Sequence, residues 1–80
     1  MTRIEVQNID NTYKAKAIKA DGVWYLVSYE MVVAQIDCGG VLTMHMRAED
    51  MTNTTKRHVK EFVRRFAEEG TDWKKAKVVL

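Results

Sequence analysis

The sequence predicts an α+β fold, a small two-layer domain in which an antiparallel sheet of about five strands carries one long amphipathic helix on one face. Two hairpin signals, Asp21-Gly22 and Asp37-Cys38-Gly39-Gly40, separate runs in which apolar and polar residues alternate. A stripe of apolar side chains then follows at positions i, i+3, i+4 and i+7 of a helix: Val59, Phe62, Val63 and Phe66. Because such a stripe must be buried against another element, we expect the preceding strands to provide the surface it covers.

The sheet is predicted to span residues 3–46. Alternation indicates strands near 3–8, 12–20, 23–29, 31–36 and 41–46, and Asp10-Asn11 is the first expected turn. The run 23–29 is apolar on both faces, which is typical of a central strand. The layer that the sheet contributes to the core is expected to include alternating residues, although the pattern leaves open which face they occupy: Tyr25, Val27, Val32, Ala34 and Leu42.

The main helix is predicted at residues 54–69. Threonine side chains can accept hydrogen bonds from the N–H groups of the first turn, and Thr54 or Thr55 is the expected cap. Gly70 suits the left-handed residue that often follows a last helical turn. Residues 71–80 form a short C-terminal segment, for which a helical turn and an extended tail are favoured over a strand at 78–80.

Eighty residues make one small domain, so residues 1–80 are interpreted as a single unit. The single cysteine cannot form an internal disulfide, which favours a reducing compartment. No apolar run approaches the roughly 20 residues that a membrane span requires. Residues 1–5 lack the apolar core of a secretory leader. We therefore expect a cytoplasmic protein without a membrane partner.

The residues that could carry chemistry do not form a recognisable site. A nucleophilic cysteine needs an adjacent base oriented by a third group, and the spacing of Cys38, His45 and His58 does not imply one. Two histidines and one cysteine match no common zinc pattern. The sequence has neither a glycine-rich phosphate loop nor a nucleophile elbow. It predicts a non-enzymatic protein with no catalytic residue, no metal and no cofactor.

A row of basic side chains on the polar side of the helix is the most suggestive functional feature. Lys56, Lys60 and Arg64 are spaced i, i+4 and i+8, which places them along one line. Such a row can neutralise phosphates or contact an acidic protein, whereas the interspersed glutamates make a solvated surface the alternative. The predicted partner-binding residues include an aromatic anchor beyond the helix: Lys56, Arg57, Lys60, Arg64, Trp73, Lys74 and Lys75.

Two stretches of the sequence resemble those of a known group of small proteins. An SYE..VA pattern within residues 24–34 and a TT..H...F pattern at 54–62 resemble small uncharacterised proteins of bacteriophages and prophages. The resemblance covers roughly residues 23–66 and would make Thr54, Thr55 and His58 the shared residues of the helix start. That family has no assigned activity. In size and origin its members are similar to anti-CRISPR proteins, an analogy that does not rest on shared residues.

Three functional hypotheses follow from the charge pattern and the resemblance. The first is an accessory protein that binds and inhibits a host protein or nucleoprotein complex, in the cytoplasm of an infected or lysogenic bacterium. The second is sequence-independent nucleic-acid binding through the basic helix face. The third is a structural module that forms a homo-oligomer through an edge strand. The net charge of +2 disfavours a protein that mimics DNA.

Overall fold

A computed structural model of the chain describes residues 4–9 and 12–80. It contains six strands, one helix and a single 3₁₀ turn at Ala48–Asp50. The strands are β1 (Ile4–Ile9), β2 (Thr12–Ala20), β3 (Val23–Ser28), β4 (Met31–Ile36), β5 (Leu42–Met44) and β6 (Lys77–Val78), and the helix is α1 (Asn53–Phe66). All six strands form one sheet in sequential order. The α+β class is therefore confirmed.

The predicted number of five strands is wrong, because the C-terminal segment adds a sixth. The first five strands pair antiparallel, and β6 lies parallel to β5, with Thr43 beside Lys77 and Met44 beside Val78. The helical turn favoured for 71–76 is reduced to two backbone turns, in which the N–H groups of Lys75 and Ala76 bond to carbonyls three residues earlier. A two-residue strand is too short to show an alternating pattern, which is why the alternative of a strand at 78–80 was not favoured over an extended tail.

Three turns set the register of the sheet. Asp21 and Gly22 have φ values of 52° and 81°, which confirms the primed turn predicted there. In the β4–β5 turn the Asp37 carboxylate accepts hydrogen bonds from the backbone N–H groups of Gly39 and Val41. In the β3–β4 turn Tyr29 and Glu30 have φ values of 50° and 70°. The predicted turn at Asp10-Asn11, like residue 3, lies outside the described residues.

The core lies between one side of the sheet and α1. Along the predicted stripe Val59 and Phe62 are fully buried, and Val63 and Phe66 pack against the core with partial exposure. The Phe66 ring stacks on Trp24 of β3, with ring centroids 4.2 Å apart. His58 is also buried in this layer.

The prediction of the sheet's core layer is wrong in part. Ala34 and Leu42 are buried as expected, but Tyr25 and Val27 are only half-buried and Val32 is 48 % exposed. The register aligns Ala17, Leu26 and Ala34 across three strands, so Leu26 and not its neighbours faces the helix. An irregularity between Leu26 and Val27 shifts the pairing with β4. Because both faces of β3 are apolar, the sequence did not determine which of them packs against the helix.

Both ends of α1 differ from the predicted bounds of 54–69. The N-cap is Thr52, whose side chain accepts a hydrogen bond from the Thr55 N–H at 3.1 Å, so neither Thr54 nor Thr55 is the cap. At the other end Ala67 is already extended, and the Glu68 N–H bonds to the Gly40 carbonyl at 3.4 Å. This contact with the β4–β5 turn accompanies the early end of the helix. Gly70 does have a positive φ, but in the turn that follows.

Candidate binding surfaces

The first candidate surface is the cationic helix side, which we define as Lys56, Arg57, Lys60 and Arg64 of α1. Arg57, Lys60 and Arg64 are exposed, and Lys56 is half-buried at the edge of the row. The spacing of i, i+3 and i+7 aligns the three exposed residues opposite the buried stripe. The structure therefore brings these four predicted residues together on one face.

Within α1 this charge is offset by one acidic side chain. The Glu61 carboxylate lies 2.6 Å from Nη2 of Arg64 and 2.8 Å from Nε of Arg65. The hydrogen bond from Arg64 lowers the pKa of the Glu61 carboxyl from its ordinary value of 4.5. Arg65 also donates from Nη1 to the Asn8 carbonyl of β1 at 3.0 Å, so it links α1 to the edge of the sheet. With five basic residues against this single acid, the helix keeps an excess of positive charge.

The C-terminal part of the predicted surface is only partly available. Trp73 is 8 % exposed and belongs to the core, so the prediction that it is an exposed anchor is wrong. Its indole is turned inward by the segment that leads to β6, while Nζ of Lys74 lies 5.8 Å from the ring centroid. Lys74 and Lys75 are exposed. Of the three residues predicted here, Lys74 and Lys75 can therefore contribute directly to a surface and Trp73 cannot.

The second candidate surface is the side of the sheet opposite α1. Cross-strand pairing places Ile18 beside Tyr25 and Lys16 beside Val27 on this side. Ile18, Tyr25 and Val27 are half-buried, although no described helix covers them. The alternation of β3 indicated two apolar faces, and this signal could have revealed the surface.

A groove lies at one end of this uncovered side. It has a volume of about 460 Å³ and is lined by Lys14, Lys16, Val27, Tyr29 and Glu30. Nζ of Lys14 lies 5.9 Å from the centroid of the Tyr29 ring, which is 49 % exposed. The groove therefore combines two cations, one anion, an aromatic ring and an aliphatic floor.

The residues considered for chemistry have structural contacts. His58 Nδ1 lies 2.9 Å from Oγ of Ser28 in the core. His45 lies 2.8 Å from Oε1 of Gln35 through Nε2, and 2.8 Å from the Val79 carbonyl through Nδ1. Cys38 is exposed in the β4–β5 turn. Across residues 4–9 and 12–80 no group of three or more His, Cys, Asp or Glu side chains is arranged to hold a metal ion.

The described part of the chain contains no helix that is long and apolar enough to cross a membrane. Neither a curated protein nor a solved structure matches the sequence. A family model does match, and it covers residues 4–79. Its match extends over nearly the whole chain, so both candidate surfaces lie inside it. The chain belongs to the family of unknown function DUF8033.

Proposed function

We propose that this chain is a non-enzymatic binding protein whose cationic helix side contacts an acidic surface on a partner protein or nucleoprotein complex. The observation that supports it is the exposed line of Arg57, Lys60 and Arg64 on a helix whose opposite side is fixed in the core. Inhibition of a host complex is the form of this activity that the resemblance to phage proteins suggests.

The distribution of charge supports an acidic partner. The chain has thirteen basic and eleven acidic residues. Five of the basic residues but only one of the acidic residues lie in α1, which leaves eight basic and ten acidic residues elsewhere. A concentrated patch on an otherwise slightly acidic chain orients an approaching anionic surface and increases the rate of association.

The packing of α1 supports the same proposal. Val59 and Phe62 are fully buried, and Arg65 is tied to Asn8 of β1, so the helix is held in one orientation on the sheet. Cations presented from a fixed element lose less conformational freedom on binding than cations on a mobile loop. The helix therefore supplies a preorganised row of charge.

The proposal is tested by affinity capture from a candidate bacterial host with the wild type and two charge-matched double variants. Arg57→Glu with Lys60→Glu reverses two exposed charges of the cationic helix side. Arg47→Glu with Lys77→Glu makes the same change in net charge at exposed positions outside the cationic helix side. We expect one protein complex to be retained by the wild type and the second variant and lost by the first. Equal retention by both variants would contradict the proposal.

Nucleic-acid binding is the alternative function that the same row of cations supports. Each phosphate contact displaces counterions, so the logarithm of the affinity for duplex DNA falls with the logarithm of salt concentration, by about 0.9 per contact. A titration of a duplex at several salt concentrations measures this slope. A steep slope with bare DNA, weakened by Arg57→Glu with Lys60→Glu, would favour this alternative over a protein partner.

Self-association through an edge strand is the third proposal. The support for it is that β1 lies at the edge of the sheet, with Ile4 63 % and Val6 56 % exposed. An unpaired edge can add a strand from a second copy. Sedimentation of the wild type and of Val6→Lys at several concentrations tests it, since a dimer that the substitution abolishes is the expected result of this alternative.

A further inference from the structure

Two hairpin turns of the sheet have similar backbone conformations but very different residues. In the β2–β3 turn the central residues are Asp21 and Gly22, with φ values of 52° and 81°. In the β3–β4 turn they are Tyr29 and Glu30, with φ values of 50° and 70°. Asp and Gly are among the residues that tolerate this left-handed region, whereas Tyr and Glu adopt it at a cost in energy.

The strained β3–β4 turn borders the groove. Tyr29 and Glu30 both line it, together with Lys14, Lys16 and Val27. The Tyr29 ring approaches the buried His58 ring, with centroids 5.9 Å apart, but Tyr29 remains 49 % exposed and Glu30 is exposed as well. Strained backbone that presents exposed side chains beside a cavity is a recurrent property of binding sites. The contrast with the Asp21-Gly22 turn indicates that the side chains of Tyr29 and Glu30 have a role in binding at the groove.

The lining defines the chemistry of an occupant. Lys14 and Lys16 lie two residues apart on β2, which places their backbone positions about 7 Å apart on the same face. Both side chains are exposed, and their ammonium groups can form ion pairs with carboxylates on neighbouring side chains of a ligand. Val27 forms an aliphatic floor beside Lys16, and Tyr29 offers an aromatic ring. The carboxylate of Glu30 would repel a continuous polyphosphate and can accept hydrogen bonds from peptide N–H groups.

We infer that this groove is a second binding site, which takes a peptide segment of a partner protein that carries acidic side chains next to an aromatic or aliphatic one. The acidic groups contact Lys14 and Lys16, and the apolar group packs on Val27 and Tyr29. The site lies on the sheet, outside the cationic helix side, and does not depend on the helix making a contact.

The test uses three tetrapeptides with acetylated and amidated ends, titrated into ¹⁵N-labelled protein. The probe is Glu-Phe-Glu-Val. One control replaces both glutamates by lysine, and the other replaces phenylalanine and valine by serine. We expect saturable shifts of the amide signals of the groove residues with the probe, with a Kd of about 1 mM, and at least about tenfold weaker binding of each control.

Variants separate this site from the cationic helix side. Lys14→Glu with Lys16→Glu should abolish the shifts, whereas Arg57→Glu with Lys60→Glu should leave them unchanged. Tyr29→Gly supplies a readout that a purely structural tyrosine would not give. Glycine relieves the strained backbone but also removes the ring that contacts His58, so the midpoint of urea unfolding should change little while the peptide affinity falls.

The inference is overturned if the probe causes no saturable shifts, or if the lysine peptide or the charge-reversed groove variant gives the same ones. It is also overturned if Tyr29→Gly binds the probe as tightly as the wild type. A ten-nucleotide thymidine strand that shifts the groove signals where the probe does not would assign the groove to nucleic acid instead. Unchanged partner capture by the Arg57→Glu, Lys60→Glu variant, together with intact peptide binding, would leave this site standing without the cationic helix side.

Discussion

Oγ of Ser28 and Nδ1 of His58 lie 2.9 Å apart in the buried layer between β3 and α1. Both residues are almost inaccessible, with exposures of 3 % and 1 %. Buried polar groups require partners, so this hydrogen bond fixes α1 at a defined position over the sheet. Because His58 lies on the inner side of the helix, the same bond helps to direct Arg57 and Lys60 towards solvent.

Ser28→Ala should destabilise the protein by about 1–3 kcal/mol, because it removes one partner from a buried histidine nitrogen. The free energy of unfolding in urea, followed by circular dichroism, measures the effect. Val23→Ala on the same strand is a control, since Val23 is half-buried and has no polar partner to lose. A Ser28→Ala variant as stable as the wild type would mean that the bond contributes nothing to the position of α1.

Thr52→Ala should cost about 1 kcal/mol of stability, because its side-chain oxygen accepts the first-turn N–H of Thr55. Thr54→Ala, at one of the two positions predicted for the cap, should change stability by less than about 0.5 kcal/mol. Urea unfolding of the two variants in parallel decides between the positions. The reverse order of effects would restore Thr54 as the cap.

Phe62→Ala should destabilise the chain by about 3–5 kcal/mol, since the ring is fully buried and no shift of α1 can fill the space completely. In a domain of this size that is a large part of the total stability. Thermal unfolding should show a much lower midpoint and loss of near-ultraviolet dichroism. Val78→Ala, which truncates a 43 % exposed side chain, is the matched surface control and should have little effect.

Glu30→Gly should raise the free energy of unfolding by about 0.5–1 kcal/mol, because glycine adopts a φ of 70° without the penalty that a side chain incurs. Gly22→Ala should act in the opposite direction. A Cβ atom at position 22 would meet no atom within 4 Å, so its cost would come from the positive φ alone. Destabilisation by Glu30→Gly would show that the side chain, and not the backbone, decides the stability of that turn.

The Glu61 carboxylate should make a small, pH-dependent contribution to stability. Arg64, as the main hydrogen-bond donor, lowers its folded-state pKa below 4.5, so the stabilisation is complete above that value and is lost as the pH falls through the lowered pKa. The wild type should therefore exceed Glu61→Gln in stability near pH 7, and the difference should shrink by about pH 3. Urea titrations at both pH values measure it. A difference that grows on acidification would contradict the assigned direction.

Local signals in the sequence were sufficient for much of the fold. The Asp21-Gly22 turn and the stripe that contains Val59 and Phe62 follow from spacing and turn chemistry within a few residues. Features set by distant contacts could not be read in this way. The early end of α1 accompanies the contact of Glu68 with Gly40, and β6 depends on pairing with Thr43 and Met44. The cap at Thr52 is local, but Thr52, Thr54 and Thr55 all carry a suitable hydroxyl, so the pattern did not single it out.

The same distinction between local spacing and distant contacts applies to the candidate binding surfaces. The cationic helix side could be placed from the sequence because helical spacing alone aligns its members. Trp73 could not, since its burial results from the path of the chain between α1 and β6. The groove at Tyr29 could not either, because the strained β3–β4 turn has none of the residues that ordinarily signal one.

The central claim is that the cationic helix side carries the contact with an acidic partner. The most direct test measures the Kd of the captured partner, by biolayer interferometry at near-physiological salt, for the wild type and the two charge-matched double variants. We predict at least about tenfold weaker binding for Arg57→Glu with Lys60→Glu, equivalent to about 1.4 kcal/mol, and less than about a twofold change for Arg47→Glu with Lys77→Glu. Equal affinities for the two variants would contradict the claim and leave the uncovered side of the sheet as the surface to test.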